Sequence, residues 1–200
     1  MMPDDHNPER GKLRSCGKAL KGVELKVIDD DGNDLEIGEI GEVISKSKLN
    51  MKGYWNKPDA TKESIVDGWF YSGDAGFFDE EGFLFIHDRV KDMIVSGGEN
   101  IYPAEVENAL MSHDEILDAA VVGVPDEKWG ESVKGFVVVG ESTLSEEEII
   151  SYTRTQIAAY KCPKSIEFIK ELPRNPSGKI LRRELRDPYW EGIDRKVSGN

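Results

Sequence analysis

The strongest constraint on the fold is a change in the apolar pattern near residue 90 of this 200-residue chain. Before it, short segments such as Val23–Asp29 and Glu39–Ser47 alternate apolar and polar residues, and turn residues separate them. That pattern predicts β-strands. Residues 76–88 predict a hairpin with Asp79–Gly82 as its turn. Short strands at regular spacing favour a small barrel or a distorted sheet over residues 1–90.

After that point, predicted helices and strands alternate. Residues 102–113 predict a helix with Pro103 in its first turn, and residues 118–124, 133–139 and 165–169 are apolar runs of strand length. Ser145 and Glu148 have the spacing of a capping box, which predicts a helix whose apolar face extends to Tyr160. A last short helix is predicted over residues 179–185. We therefore predict an α+β fold with a boundary near residues 87–93, dividing the chain into 1–90 and 91–200.

Composition and charge argue against several classes of protein. A net charge of −13 and a pI near 4.8 argue against nucleic-acid binding, since phosphate backbones repel an acidic surface. No apolar run approaches the ~20 residues of a transmembrane helix, and the first 15 residues lack the apolar core of a signal peptide. Cys16 and Cys162 lie far apart without metal-ligand spacing, which indicates a reducing, cytoplasmic location with neither a disulfide nor a bound metal.

Asp74 is a candidate binding residue in the segment Asp-Gly-Trp-Phe-Tyr-Ser-Gly-Asp-Ala-Gly, residues 67–76. A carboxylate in a tight turn at a strand end can accept hydrogen bonds from both vicinal hydroxyls of a ribose. It can equally cap its own backbone in an Asx-turn. Downstream, Arg89 and Lys91 point to the same side if the segment is extended. Gly97–Gly98 permits close approach of a ligand or a sharp turn between a strand and a helix.

Lys179 follows a Pro-Ser-Gly turn in residues 171–185. This is not a P-loop, because Pro173 stands where that motif needs glycine and Ile180 where it needs serine or threonine. The lysine is either a solvated side chain or a cation presented to an anion. Trp129 and Tyr160 are either packed aromatics or half-exposed surfaces on which a base can stack.

Five motifs follow one another along the chain: residues 53–64, 68–76, 88–107, 123–139 and 172–185. In this order and spacing they resemble the C-terminal stretch of the acyl-adenylate-forming enzymes. That superfamily comprises acyl- and aryl-CoA synthetases, luciferases and the adenylation domains of peptide synthetases. The resemblance covers about residues 17–185. In motif style it is closest to long-chain fatty acyl-CoA ligases, because Asp88 precedes Arg89 where many members have glycine.

The resemblance implies the C-terminal portion of an ATP-dependent acyl-CoA synthetase, inactive alone, with a fatty acid as substrate. Residues 1–90 would be the β-rich end of a large AMP-binding domain, and residues 91–200 a mobile C-terminal domain. ATP and CoA would be the cofactors, with Mg²⁺ bound by a ligand outside this chain. Peripheral membrane association and a homodimer are left open. So are two alternatives: an acyl-AMP ligase or adenylation domain that loads a carrier protein, and a non-catalytic module that binds nucleotide or CoA.

The resemblance also implies residue roles around the nucleotide. Asp74 would hold the ribose hydroxyls, Arg89 would contact the ribose or a phosphate, and Ile86 would line the nucleotide pocket. Lys91 would be the hinge of the C-terminal domain. Lys179 would be the catalytic lysine of adenylation, bridging the attacking carboxylate and the α-phosphate.

In the second step, Gly97 and Gly98 would line the passage for the CoA pantetheine, and Trp129 and Tyr160 would flank the CoA nucleotide.

Three positions depart from the family pattern. Ser72 stands where threonine is common, Asp88 where glycine is common, and Cys162 where some relatives place an arginine near the CoA phosphates. Lys161 or Lys164 is predicted to replace that arginine.

Overall fold

The computed structural model describes Asp5, residues 7–141 and residues 143–193. The chain forms two units that divide between Lys91 and Asp92. None of the helices in the described residues is long and apolar enough to cross a membrane. That the units are the end of a large domain and a mobile C-terminal domain stays a prediction.

The first unit contains the elements β1 (Val23–Ile28), β2 (Gly41–Ser47), α1 (Pro58–Ser64), β3 (Ile65–Val66), β4 (Trp69–Phe78) and β5 (Leu84–Arg89). Its five strands form one antiparallel sheet. β2 pairs with one edge of β4, while β3 and β5 pair with its other edge, and β1 pairs with β2. The pairing of β2 with β4 shifts register between Glu42 and Ile44, and that of β4 with β5 shifts between Ala75 and Gly76. Of the two folds predicted for residues 1–90, a small barrel or a distorted sheet, the structure therefore confirms the distorted sheet.

A polar network that the sequence did not reveal joins the N-terminal segment to the β4–β5 turn. Lys12 Nζ lies 2.5 Å from Asp79 Oδ2 and 2.8 Å from Glu81 Oε1. Hydrogen bonds to Asp79 and then Glu81 raise the pKa of Lys12. Asp79 also closes the turn, because its Oδ1 accepts the backbone N–H groups of Glu81 and Phe83.

The second unit contains the elements β6 (Ile94–Ser96), β7 (Glu99–Ile101), α2 (Pro103–Met111), β8 (Ile116–Asp126), β9 (Gly130–Val139), α3 (Glu146–Gln156), β10 (Ser165–Phe168) and α4 (Arg182–Arg186). Its strands form a mixed sheet, which the helices cover. β9 is central: it pairs antiparallel with β8 over ten residue pairs, parallel with β10, and at one residue pair with β6. β6 pairs in turn with β7. The α+β prediction is confirmed.

Both faces of this sheet are covered, since side chains alternate along β8. Ala119 and Val121 pack in one cluster with residues of α2 and α3. Ala120 and Val122 pack in another with Leu172 and residues of the C-terminal segment that carries α4. The second cluster places the Lys179 segment beside β8.

Helix α3 starts as predicted and ends earlier. Ser145 Oγ accepts the N–H of Glu148, and the Glu148 carboxylate accepts the N–H of Ser145. The prediction that the helical face reaches Tyr160 is wrong. Ile157 is extended, with φ −135° and ψ 167°, and packs its side chain against the core, so Tyr160 lies in a separate 3₁₀ turn and is exposed.

Candidate functional site

Asp74 lies inside β4, at a distortion of the strand. The predictions of a strand-end turn and of an Asx-turn closed by Asp74 are both wrong. Instead, the Ser72 hydroxyl accepts the N–H of Asp74 at 3.0 Å and donates to the Val43 carbonyl at 2.6 Å. Gly73 adopts φ +70° between them, a conformation that glycine reaches without steric cost. The hydroxyl shapes the backbone and leaves the Asp74 carboxylate available for other contacts.

The carboxylate of Asp74 faces Arg89, its cross-strand partner on β5. Arg89 Nη1 lies 2.5 Å from Asp74 Oδ1 and also donates to the Ser72 carbonyl at 3.3 Å. Both side chains are partly exposed. Within the described residues Asp74 Oδ2 has no hydrogen-bond donor, so this carboxylate has the free acceptor capacity that a ribose diol requires.

Glu42 supports this site, and nothing in the sequence pointed to it except that it is a glutamate in a predicted strand. Its Oε1 accepts the Gly73 N–H at 2.9 Å. Burial raises the pKa of Glu42, and the negative charge of Asp74 raises it further. Ile86, the predicted pocket residue, lies on β5 opposite Gly76 with 41% of its surface exposed. An exposed isoleucine beside the Asp74 strand is available to contact a base.

Lys91 lies in a 3₁₀ turn, Val90–Asp92, at the division between the units. Arg89 ends β5, so the two residues do not share one extended segment, and that prediction is wrong. Lys91 is exposed.

Gly97 and Gly98 form a two-residue turn between β6 and β7, rather than between a strand and a helix. Their φ values of +63° and +89° are those of a type I′ hairpin turn. Gly97 N–H donates to the Trp129 carbonyl at 2.9 Å. The Trp129 ring lies so close that a Cβ on Gly97 would stand 2.7 Å from its Cε3. The structure thus brings two of the predicted CoA elements, the glycine pair and Trp129, into direct contact.

The turn before Trp129 is fixed by Asp126, whose Oδ1 accepts the N–H groups of Trp129 and Lys128. These bonds lower the pKa of Asp126. Lys128 Nζ lies 4.3 Å from the Trp129 ring centroid. Trp129 borders an open cavity of about 620 Å³, and Tyr160 is not among its lining residues, which are Val95, Pro125, Asp126, Glu127, Trp129, Gly130, Glu131, Trp190 and Ile193.

Lys161 does not fit its predicted role. Its Nζ lies 2.7 Å from both carboxylate oxygens of Glu105, so its charge is already neutralised. Lys164 is exposed and stays the candidate. Cys162 is buried, and burial raises the pKa of its thiol, so it offers no anion contact. Tyr160 is 48% exposed, which suits a stacking surface.

Lys179 is carried by a tight turn that Asn175 organises. Asn175 Oδ1 accepts the N–H groups of Ser177 and Lys179, at 3.0 and 2.9 Å. The Asn175 backbone pairs with the Lys179 carbonyl and the Gly178 N–H. Gly178 has φ +83°. The Lys179 side chain is exposed, and among the described residues nothing forms a hydrogen bond or ion pair with its ammonium.

The profile of the AMP-binding enzyme C-terminal domain matches residues 105–179, and that of the AMP-binding enzyme matches residues 1–55. The chain belongs to the AMP-binding enzyme family.

Relatives in this family cover nearly the whole chain. A fatty acid–[acyl-carrier-protein] ligase of Streptomyces coeruleorubidus is 47% identical over 199 residues, which is 99% of this chain and 38% of that protein. A long-chain-fatty-acid–CoA ligase, FadD13, of Mycobacterium tuberculosis is 47% identical over 178 residues, 89% of this chain and 35% of that protein. The chain therefore spans little more than a third of the length of these relatives.

Solved structures give the same family. The o-succinylbenzoate CoA synthetase of Bacillus subtilis, in complex with its acyl-adenylate intermediate, matches 94% of this chain and 38% of that chain, at 41% identity and a TM-score of 0.83. The match over residues 1–55 also includes the residues before position 17, which lie outside the stretch that carries the five motifs.

Proposed function

We propose that this chain supplies the adenosine-binding strands and the adenylation lysine of an ATP-dependent fatty acyl-CoA synthetase. One observation carries the proposal: Lys179 stands on an internally hydrogen-bonded turn, exposed and with an ammonium that no described residue engages. The substrate class is supported by the relatives that are named long-chain-fatty-acid–CoA ligases.

In the first step a fatty acid carboxylate oxygen attacks the α-phosphorus of ATP. The new bond gives acyl-AMP, and pyrophosphate leaves with the electrons of the broken P–O bond. Negative charge grows on the α-phosphate oxygens, and the Lys179 ammonium stabilises it as a compact point charge. Loss of one such contact costs about 10²–10³-fold in rate. Bound Mg²⁺ would add charge neutralisation.

The nucleotide is held by the first unit. Asp74 accepts hydrogen bonds from both ribose hydroxyls. Arg89 contacts the same ribose or a phosphate, and Ile86 packs against the base. The hydrogen bonds of Ser72 and Glu42 support this role, because they fix the backbone on both sides of Gly73 and so fix where Asp74 points.

In the second step the CoA thiol gives up its proton to solvent and its sulfur attacks the acyl carbonyl carbon. AMP leaves with the electrons of the broken bond between that carbon and the phosphate oxygen. The Gly97–Gly98 turn lines the pantetheine passage, with the ring of Trp129 beside it, and Tyr160 stacks on the CoA nucleotide. Lys91, at the division between the units, acts as the hinge that withdraws Lys179 and brings in the glycine turn.

The test uses a chimera in which this chain replaces the matching segment of the M. tuberculosis long-chain-fatty-acid–CoA ligase. Lys179→Ala should lower fatty-acid-dependent pyrophosphate release by about 10²-fold. Thioester formation from preformed fatty acyl-AMP should stay within about threefold, because the lysine acts only in the adenylation step. Lys170→Ala is the matched control, since Lys170 is also exposed and lies outside the turn. Adenylation at the wild-type rate in Lys179→Ala would refute the proposal.

A second candidate acceptor is a carrier protein, because the Streptomyces relative is named a fatty acid–[acyl-carrier-protein] ligase. Offering preformed acyl-AMP with either CoA or a phosphopantetheinylated carrier protein separates the two. Thioester on free CoA supports the synthetase. Thioester only on the carrier supports the alternative, and nucleotide binding without pyrophosphate release supports a non-catalytic module.

The proposal includes a cytoplasmic location, which the two free cysteines support. Fractionation of cells that express the protein would show whether it also associates with membranes, and light scattering would show whether it dimerises.

A further inference from the structure

The turn that carries Lys179 is held from outside by one arginine. Arg174 Nη1 donates to the Gly178 carbonyl at 2.7 Å, and its Nη2 donates to Asp118 Oδ2 at 2.6 Å. Asp118 lies on β8, where the pairing with β9 shifts register. Its other oxygen accepts the Ala119 N–H at 3.1 Å, so the carboxylate is itself fixed. The guanidinium thus ties the turn to the sheet.

The contacted carbonyl belongs to the peptide group that joins Gly178 to Lys179. The N–H of that same peptide donates to Asn175 Oδ1. Both polar atoms of one peptide plane are therefore engaged, the oxygen by Arg174 and the nitrogen by Asn175. These two bonds fix the rigid peptide plane before Lys179, and the Asn175 N–H donates to the Lys179 carbonyl at 2.9 Å, which fixes the plane after it. With both planes held, the direction in which the Lys179 side chain leaves the backbone is set.

The far side of the turn is also attached. Arg182, at the start of α4, donates from Nε and Nη2 to the two carboxylate oxygens of Glu107 on α2, at 3.0 and 2.7 Å. Glu107 also accepts the Val121 N–H at 2.9 Å. Bidentate arginine–carboxylate pairs add geometric specificity to attraction. With the helix anchored separately, loss of the Arg174 contacts should loosen the turn and leave the rest of the unit in place.

We propose that Arg174, together with Asp118, is a positioning residue for Lys179. The inference rests on the proposed role of Lys179 in adenylation. The ordinary alternative is a surface ion pair of little consequence, because Arg174 and Asp118 keep 42% and 31% of their side-chain surface exposed. The guanidinium fork of Arg174 does more than form an ion pair with Asp118, because its second nitrogen donates to the Gly178 carbonyl, next to Lys179.

The test measures the two half-reactions in the same chimera. Arg174→Ala should lower kcat of adenylation by about tenfold, leave KM for ATP within about twofold, and leave thioester formation from acyl-AMP unchanged. Arg174→Lys keeps a charge for Asp118 and loses the fork, so its loss should be smaller, as should that of Asp118→Asn. Arg183→Ala is the matched control, because Arg183 is 79% exposed on α4 and, within the residues that the structure describes, its side chain pairs only with Asp187.

Combining Arg174→Ala with Lys179→Ala separates the inference from the proposed function. If Arg174 acts through Lys179, the double variant should adenylate no more slowly than Lys179→Ala alone. Wild-type adenylation in Lys179→Ala overturns the proposed function. Strong loss in Lys179→Ala, with either no loss in Arg174→Ala or an undiminished tenfold loss in the double variant, overturns the inference alone.

A second measurement does not depend on activity. Hydrogen exchange of the Lys179 amide in this chain should become at least tenfold faster in Arg174→Ala and stay unchanged in Arg183→Ala. Equal exchange rates of the Lys179 amide in Arg174→Ala and in the unaltered chain would also contradict a positioning role for Arg174.

Discussion

Gly97→Ala tests the contact between the glycine turn and Trp129. The new Cβ would lie 2.7 Å from Trp129 Cε3 and 3.2 Å from Cζ3, closer than side-chain carbons pack. Trp129 cannot retreat with its backbone, because its N–H is held by Asp126 and its carbonyl by Gly97 N–H. The ring must therefore swing outward.

Gly98→Ala is the matched control. Gly98 also has positive φ, +89°, and a Cβ there would meet nothing within 4 Å. An alanine in this conformation costs about 1–2 kcal/mol of folding free energy, whichever glycine it replaces. Overpacking adds about 1–3 kcal/mol at Gly97 alone. We expect Gly98→Ala to destabilise by about 1–2 kcal/mol and Gly97→Ala by about 2–5 kcal/mol.

Urea unfolding, with the transitions of the two units fitted separately, measures both costs. Native tryptophan fluorescence should shift in Gly97→Ala and not in Gly98→Ala, because only the first displaces a ring. In a Trp129→Ala background, Gly97→Ala and Gly98→Ala should lower the free energy of unfolding by the same amount. This comparison isolates the contribution of the clash between the new Cβ and the Trp129 ring. Equal costs with Trp129 in place, or an unequal cost that survives Trp129→Ala, would refute the reasoning.

Two further predictions concern single residues. The raised pKa of Glu42 means that the folded chain binds its proton more tightly than the unfolded chain, so stability falls as pH rises above the ordinary value of 4.5. Glu42→Gln keeps an acceptor for Gly73 N–H, so in urea denaturation it should match the unaltered chain below pH 4.5 and be more stable at pH 7. If the free energies of unfolding of Glu42→Gln and of the unaltered chain changed in parallel with pH, this prediction would be contradicted. Ser145→Ala removes the cap of α3 and should cost about 1 kcal/mol in urea unfolding. Ser151→Ala, on the exposed face of the same helix, should change stability by less than about 0.5 kcal/mol, and equal costs would remove the role of the cap.

The sequence alone was enough to predict most of the secondary-structure elements and the protein family. Strand alternation over Val23–Ile28, the capping box at Ser145 and the proline that opens α2 are local signals, and the structure places the elements where they indicate. Local signals were weakest at helix ends. Ile157 continues the apolar periodicity of α3, yet it leaves the helix, because its side chain reaches the core from an extended backbone.

The sequence by itself therefore determined the α+β class, most strand and helix positions, the adenylate-forming family and the exposure of Lys179, since each depends on residues near one another in the chain. Only the tertiary structure decided which groups meet: Asp74 with Arg89, Glu42 with the Gly73 amide, and Arg174 with Asp118. The partners in these pairs are separated by 15, 31 and 56 positions. Sheet register and packing bring them together, and no local preference of either residue specifies that distance.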